Sequence, residues 1–304
     1  MTERLPRSVQ EYLDQLRDAL RDADPALRQD ALYDAEEYLR AELNGKSDQP
    51  ESEVIARIVR SYGAPEEVAA VYRQTEETVS RAMRTPPPRE RRSVMGRFFG
   101  VYADPRAYAS LFYMVLALAT GIFYFTWTVA GISISLGTSV LIFGLPIFLL
   151  FLGSTRLFSL LEGRIVETFL GVRMPRRPEY PSDDRGIVGR IMEMLKDVRT
   201  WSTMLYMLLM LPLGIGYFTL AVTTVSTSLA LIVSPLAYFG VTRFDLDIHF
   251  FYWNGDYRDF GSLEFVFIPL AGFLMLTAAM HLFRGIGVLQ GHIARGLLVR
   301  PGRD

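Results

Sequence analysis

The sequence contains no cysteine. Disulfide bridges, thiol catalysis and cysteine-ligated metals are therefore excluded for this chain. It also lacks a nucleophile motif, a phosphate-binding glycine loop and the paired histidines of a helical zinc site, so we expect neither an enzyme nor a cofactor. No segment combines a basic face with exposed aromatic residues, which argues against direct binding of nucleic acid.

Apolar side chains, by contrast, are abundant, and the charges are unevenly distributed. Of the 304 residues, 50% are hydrophobic and 21% are charged, and the length suits about two domains. Residues 1–84 carry 12 Lys and Arg against 18 Asp and Glu, a net charge of −6, which leaves +5 for the rest of the chain. This segregation predicts an acidic soluble head followed by a basic-flanked body in lipid.

Residues 1–84 predict a small bundle of four helices. Ser8 followed by Glu11 is a capping box, and apolar residues at helical spacing extend this first helix over about 8–22. Each further helix is opened by a proline, namely Pro25, Pro50 or Pro65. The start of the chain lacks the apolar core of about 7–15 residues found in secretion signals, so we expect the head in the cytoplasm.

Three features of the head together resemble a known family. They are an apolar stripe in the first helix, an acidic second helix, and a glycine-proline run before the fourth helix. The residues are Tyr12-Leu13 with Leu16 and Leu20, then Asp30, Asp34, Glu36 and Glu37, then Gly63-Ala64-Pro65-Glu66-Glu67-Val68-Ala69. They resemble the HTH-associated alpha-helical signalling domain, HAAS. This resemblance implies a cytoplasmic module that communicates with a transcription regulator, commonly of the PadR-like winged-helix type.

The acidic second helix has two interpretations. Under the resemblance, Asp30, Asp34, Glu36 and Glu37 are candidate partner-binding residues. Charged helix faces more often simply face water. The sequence leaves both interpretations open.

Residues 85–103 form a joint between the head and the body. The prolines Pro86 to Pro88 lack amide donors, which predicts a short, stiff polyproline spacer. Four arginines follow before the first apolar run: Arg89, Arg91, Arg92 and Arg97. Arginines at this place mark the cytoplasmic end of a membrane span.

The body, residues 104–304, contains an internal repeat. Pairs at an offset of 93 include Asp104 and Asp197, Tyr113 and Tyr206, Gly121 and Gly214, and Tyr124 and Tyr217. A later offset of 125 relates Phe158 to Phe283, so the second copy holds 32 extra residues. We place the copies at 104–175 and 197–301. Small residues such as Gly121 and Gly214 favour close helix packing in membranes.

Four apolar runs are long enough to cross a bilayer, which takes about 20 residues. They are 109–130, 137–157, 203–223 and 264–283. Arginines collect in the loop between the second and third runs and in the tail, so both termini are expected in the cytoplasm. With two crossings per copy, the repeats should be parallel, related by an axis along the membrane normal. The run 225–241, interrupted by Pro235, is expected to be non-spanning or re-entrant.

The outer surface is expected to carry a small extracytoplasmic β layer. Apolar residues alternate with serines over 132–136, and 223–228 is rich in β-branched and hydroxyl residues. Alternation resumes after residue 243, and Asn254-Gly255 is a favoured hairpin turn, which predicts an inserted hairpin at about 243–263.

Within that hairpin, Asp245, Asp247 and His249 fall on one face of the predicted strand. Carboxylates with an imidazole bind divalent cations or titrate with pH, so these three are the candidate metal residues. The alternative, which the pattern favours, is the polar face of a half-buried sheet.

The body also resembles a known family, in several short segments spread over about 98–300. They are Asp104-Pro105-Arg106, Gly121, Glu162, Leu170-Gly171-Val172-Arg173-Met174-Pro175, Asp197-Val198-Arg199-Thr200-Trp201, Tyr206, Leu211-Pro212-Leu213-Gly214 and Arg295-Gly296-Leu297-Leu298. They resemble the sensor domain found ahead of some bacterial histidine kinases. The resemblance implies a sensing role in the cell membrane.

The expected fold is therefore mainly α: a cytoplasmic bundle, then a four-helix membrane body of two tandem parallel repeats with a small β layer. The expected function is to relay an envelope or membrane signal to a cytoplasmic partner, without catalysis. The alternative is a small transporter or permease subunit for an apolar or lipid-like cargo. Coupled carriers usually need ionisable groups within the membrane, whereas the predicted spans carry charges only near their ends, at Arg156 and Glu264. A homo-oligomer is left open.

Overall fold

The computed structural model describes residues 5–44, 50–83, 94–138, 144–175, 195–244, 251–253, 256–258 and 263–299. The chain forms two compact units, and each is described by itself. The first comprises Met1–Glu90, Thr128–Tyr206 and His292–Asp304, and the second comprises Arg91–Trp127 and Met207–Gly291. Four helices are long and apolar enough to cross a membrane, as the sequence predicts: Pro105–Thr138, Pro146–Leu170, Val198–Gly240 and Glu264–Leu298.

The head folds as the predicted four-helix bundle. Its helices are α1 (Val9–Ala19), α2 (Pro25–Asn44), α3 (Glu51–Tyr62) and α4 (Pro65–Met83). Ser8 caps α1, because its hydroxyl accepts the Glu11 N–H at 3.1 Å. Asp24 caps α2 in the same way through the Ala26 N–H at 2.9 Å. The start signals in the sequence are therefore confirmed.

The core of the head combines the apolar stripes of all four helices. Its fully or nearly fully buried members are Tyr12, Leu13, Leu16, Leu20, Ala31, Ala35, Leu39, Val54, Ile55, Ile58, Val68 and Ala69. The Tyr12 hydroxyl donates to the Gly63 carbonyl oxygen at 2.9 Å. Gly63 has φ +112°, a backbone conformation that glycine adopts without a Cβ penalty. This residue therefore allows the sharp turn between α3 and α4.

The rest of the first unit is built from the end of α6 (Pro105–Thr138), α7 (Gly144–Leu170), the start of α8 (Val198–Arg243) and the end of α9 (Glu264–Leu298). Phe151 and Leu152 of α7 pack against Met204 of α8. Gly131 of α6 lies against the Phe151 ring, since a Cβ added there would come within 2.9 Å of Phe151 Cγ.

The second unit contains α5 (Val94–Phe98), a 3₁₀ turn (Phe99–Ala103), and most of α6, α8 and α9. Its core is formed by Val101, Ala107, Met114, Ala221, Ala279, Met280 and Phe283. The unit also contains a short antiparallel pair of strands, β1 (Phe251–Trp253) and β2 (Asp256–Arg258), in which Tyr252 pairs with Tyr257. This pair lies inside the range predicted for the inserted hairpin.

In the second unit, α6 runs with α9 and against α8. Asp104 pairs with Arg284 at 3.2 Å and Tyr113 accepts from Gln290 at 3.2 Å, so the numbers rise together along α6 and α9. Gln290 accepts from Tyr217 at 2.9 Å, whereas a Cβ on Gly272 would lie 2.9 Å from the Ser228 carbonyl oxygen, so α8 runs the other way. The sequence predicts parallel repeats, which would make α6 and α8 run in the same direction. In the second unit they run in opposite directions, and the prediction fails because the count of crossings assumes that successive spans alternate in direction.

The strand prediction for 132–136 and 223–228 is wrong, since both segments are helical, in α6 and α8. Over 223–228 the hydroxyls explain why, since Thr224 and Ser228 donate to the carbonyl oxygens four residues back, at 2.6 and 2.7 Å. When Ser and Thr hydroxyls donate to carbonyl oxygens of the same helix, they leave no unpaired polar group in an apolar environment. Such residues are therefore tolerated in a membrane-capable helix.

Segment 225–241, which the sequence predicts to be non-spanning or re-entrant, adds no fifth span among the described residues, but it is not re-entrant. This segment continues α8, which has 46 residues with Pro212 and Pro235 inside it, a length of about 69 Å at 1.5 Å per residue. It is therefore part of the third long helix and adds no fifth one.

Candidate functional site

Three arginines of the body contact the head within the first unit. Arg173 follows α7, Arg199 lies in the first turn of α8, and Arg295 lies in the last turn of α9. Their partners on the head are Asp24, Gln29, Asp30 and Glu76. We call these seven residues the docking contact. It places three guanidinium groups against three carboxylates and one amide.

The end of α7 positions Arg173. Gly171 has φ +69°, a left-handed conformation typical of a residue that terminates a helix. The chain then turns back, and the fully buried Met174 packs beside Gly163, whose added Cβ would lie 3.3 Å from Met174 Cβ. The intervening Arg173 is thereby held by backbone and packing on both sides.

The Arg173 guanidinium bridges two helices of the head. One terminal nitrogen lies 3.4 Å from Asp30 Oδ2, and the other forms an ion pair with Glu76. The side chains are 16% exposed for Arg173 and 8% for Asp30. Among the described residues, Arg173 Nε is buried and has no hydrogen-bond partner. Removing one member of an ion pair buried this deeply lowers stability by about 3–5 kcal/mol.

The other two contacts are more exposed. Arg295 lies 2.8 Å from Asp24, with side chains 43% and 27% exposed, and pairs of this kind contribute about 0–1 kcal/mol. Arg199 donates to the Gln29 side-chain oxygen at 3.1 Å. Asp24 precedes the first residue of α2, where the helix dipole favours negative charge. The Arg173 group therefore dominates the docking contact.

The acidic residues singled out in α2 have different surroundings. Asp30 takes part in the docking contact, as described. Asp34 accepts the Tyr72 hydroxyl at 2.8 Å; burial, followed by this hydrogen bond, raises the pKa of Tyr72. Glu36 pairs with Arg40 one turn on at 2.9 Å, and Glu37 is exposed. The structure thus brings one of the four to the body.

The sequence argument did not identify Glu76 or the three body arginines as a site. A signal was present, because Arg173, Arg199 and Arg295 fall within the segments that carry the sensor resemblance. Their partners were hidden, since no local pattern indicates that Arg173 meets Glu76, which lies 97 positions earlier in the chain.

A buried polar pair also links α7 and α8 in the first unit. Tyr206 donates to a Glu162 carboxylate oxygen at 2.9 Å, and each residue is 1% exposed. A buried carboxylate with a hydrogen-bond donor fixes the register of two helices.

Gly121 and Gly214 make a reciprocal backbone contact in the second unit. A Cβ added to Gly121 would lie 2.8 Å from the carbonyl carbon of Met210. A Cβ added to Gly214 would lie 2.8 Å from the carbonyl carbon of Ala117. Met210 and Ala117 are themselves separated by the repeat offset of 93. At this point α6 and α8 therefore touch through their backbones.

The candidate metal residues Asp245, Asp247 and His249 lie outside the described residues. Within the described part of the chain there is no group of three or more His, Asp or Glu that could hold a metal ion.

Comparison with known proteins identifies two domains. A family model described as Putative sensor matches residues 113–298. A second, described as HAAS, matches residues 11–71. No curated protein and no solved structure gave a significant match.

Proposed function

Because the chain belongs to the Sensor family over residues 113–298 and carries a HAAS domain at 11–71, we propose that it relays a signal from the membrane or envelope to a cytoplasmic protein partner. Four membrane-capable helices and a protein-interaction domain on one chain support a membrane sensor and signalling protein. In this proposal the head is the output module, and the docking contact controls it.

The single observation that carries the proposal is the position of Arg173. It ties the end of the membrane helix α7 directly to two different helices of the head, through Asp30 and Glu76. A shift of α7 would change the distance between these charges. Because Arg173 and Asp30 are largely buried, separating their charges raises the free energy of the docked state by several kcal/mol. A change of that size shifts the equilibrium from docked to undocked heads.

We propose that the side of the membrane carrying the docking contact is the cytoplasm. The excess of arginine on the loop after α7 and on the tail supports this orientation. The contact between Arg295, near the C-terminus, and Asp24 of the head supports both termini lying on that side of the cell membrane. The β pair would then belong to the outer surface.

The reciprocal contact of Gly121 and Gly214 supports a tandem duplication of the membrane helices. Alternating crossings from a cytoplasmic head would make α6 run with α8, the opposite of their arrangement in the second unit. Thiol cross-linking between the two helices in native membranes distinguishes the two directions.

The proposed partner is a PadR-like transcription regulator, and no catalytic step is assigned to the chain. Glu36 and Glu37 lie outside the docking contact, on the helix that also carries Asp30. A partner that binds this helix would sense whether the head is docked. The proposal requires no homo-oligomer and is compatible with one.

A pulldown from detergent-solubilised membranes tests the relay. The four chains to compare are wild type, the chain lacking residues 1–84, Arg173→Gln, and Arg164→Gln as the matched control. Arg164 is an exposed arginine of α7 that pairs with Glu167 on its own helix at 3.2 Å. We expect a DNA-binding protein to be lost with the head, and its recovery to change in Arg173→Gln but not in Arg164→Gln.

Two results would contradict the relay. Equal recovery of every partner by all four chains removes the output role of the head. A substrate-dependent flux in liposomes containing the purified protein would instead support the transporter alternative.

A further inference from the structure

A polar cleft lies in the first unit, between α7 and the start of α8, beside the docking contact. It is lined by Arg156, Ser159, Asp197, Arg199, Thr200 and Thr203. The cleft has a volume of about 20 Å³ and opens to solvent. This volume exceeds the roughly 10–15 Å³ that one water needs, so the inner part of the cleft can hold one polar atom, while the rest of a larger group would lie at its mouth.

Thr200 leaves an unpartnered polar atom in this cleft. The residue is 4% exposed, and among the described residues its hydroxyl oxygen has no hydrogen-bond partner. A buried hydroxyl without a partner is costly, by about 1–3 kcal/mol. The neighbouring Ser159 hydroxyl, by contrast, donates to the Arg156 carbonyl oxygen at 2.8 Å. A ligand atom in the cleft would satisfy Thr200.

The charges around Thr200 indicate what kind of ligand the cleft would bind. Two arginines, Arg156 and Arg199, line the cleft together with a single carboxylate, that of Asp197. Asp197 already accepts from the Arg199 N–H at 3.1 Å, as the cap of α8, and lies 3.4 Å from the Arg156 guanidinium. The start of the 46-residue helix α8 adds positive potential from its dipole. The local balance therefore favours an anion over a neutral ligand.

We propose that this cleft binds a phosphate-type oxyanion. One oxygen would enter the inner part and accept the Thr200 hydroxyl. The remaining oxygens would lie at the mouth between the guanidinium groups, which recognise phosphate by paired hydrogen bonds. The source is either a soluble phosphate ester or the headgroup of an anionic phospholipid, since both present the same group. The proposal stands on the cleft alone and does not require the relay.

The test measures binding by the full-length protein in a neutral, phosphate-free detergent. Inorganic phosphate is titrated at constant ionic strength, balanced with chloride, and the Tm is followed by tryptophan fluorescence, because a ligand that binds the folded state raises the Tm. A second series replaces phosphate with micelles doped with phosphatidylglycerol or with phosphatidylcholine. Both series are run on wild type, Thr200→Val, Arg156→Gln and the control Arg164→Gln.

A saturable rise in the Tm of wild type with phosphate identifies a soluble ligand, and a rise with phosphatidylglycerol alone identifies a headgroup. In either case Thr200→Val should weaken binding about tenfold, the loss of one hydrogen bond to a charged group. Arg156→Gln should weaken it at least as much, and Arg164→Gln should match wild type. Thr200→Val removes an unpaired hydroxyl, so it should fold without ligand as well as wild type does.

The proposal is overturned if Thr200→Val and Arg156→Gln respond to phosphate and to phosphatidylglycerol as Arg164→Gln does. It is also overturned if neither phosphate nor phosphatidylglycerol raises the Tm of wild type at constant ionic strength, since the cleft would then hold only water.

Discussion

The two glycines Gly214 and Gly216 lie two residues apart on α8, yet alanine should have opposite effects at them. A Cβ at Gly214 would lie 2.8 Å from the carbonyl carbon of Ala117 and 3.1 Å from Cα of Leu118. At Gly216 a Cβ would meet nothing within 4 Å. The pair therefore separates the effect of helix packing from the effect of helix propensity.

The magnitude follows from these distances. An ordinary contact begins at about 3.4 Å, so the Ala117 carbonyl carbon alone requires Gly214→Ala to force α6 and α8 apart by about 0.6 Å, and the Ala117 carbonyl oxygen, which lies closer still, requires more. These neighbouring atoms are backbone, which cannot rotate away. Overpacking of this kind costs about 1–3 kcal/mol. Alanine gains about 0.8–1.0 kcal/mol over glycine in a helix interior. We expect Gly214→Ala to be destabilising by up to about 2 kcal/mol and Gly216→Ala to be stabilising by up to about 1 kcal/mol.

Thermal unfolding in one detergent measures the difference. Since 1 kcal/mol shifts the Tm by about 2–4 °C at domain sizes of 150–250 residues, the two variants should differ by several degrees, with wild type between them. Gly121→Ala should behave like Gly214→Ala, because its contact with Met210 is the same. If Gly214→Ala were as stable as Gly216→Ala, the close approach of α6 and α8 would be refuted.

Three further predictions concern the head and the direction of the helices. Burial raises the pKa of Tyr12, so its contribution to stability is present below about pH 10, the pKa of an unfolded tyrosine, and is lost as the pH rises through the folded pKa. Tyr12→Phe should therefore lower the free energy of unfolding by about 1 kcal/mol at neutral pH and reduce the fall in Tm at alkaline pH. An unchanged alkaline profile of Tm would contradict this. Gly63→Ala, at φ +112°, should destabilise the head by about 1–3 kcal/mol, measured by denaturant unfolding, and a neutral result would exclude strain there. The chain has no cysteine, so pairs of cysteines can be introduced and tested with a short thiol cross-linker in native membranes. Cysteines replacing Met114 and Ala221, which share a core, should be joined, whereas cysteines replacing Met114 and Met207 should not, because Met207 lies about 21 Å from Ala221 along α8. The reverse result would make α6 and α8 parallel.

The head could be predicted almost completely from the sequence, because its signals are local. Caps, opening prolines and apolar spacing each act within a few residues, and Ser8 caps α1 as the sequence predicts. The four membrane helices were also predictable from apolar length. Their ends were not, since the predicted 203–223 is the middle of a helix that reaches Arg243.

The remaining errors have two physical causes. Over 223–228, β-branched and hydroxyl residues indicated a strand, but in an apolar setting their hydroxyls bond to their own helix. The docking contact depends on charges that are distant in sequence, and a surface arginine and a buried one look identical in a sequence. Arg173 acquires its role only because Gly171 turns it toward Asp30.

The buried pair of Tyr206 and Glu162 has a mechanical consequence for α7 and α8. The two oxygens lie 2.9 Å apart, and each residue is 1% exposed. If one helix slid past the other by a single turn, about 5.4 Å, the hydroxyl would leave hydrogen-bond range and a buried polar contact would be lost. A movement that keeps this hydrogen bond must instead pivot the two helices about it. Within the first unit, rotation of α7 against α8 therefore costs less than translation.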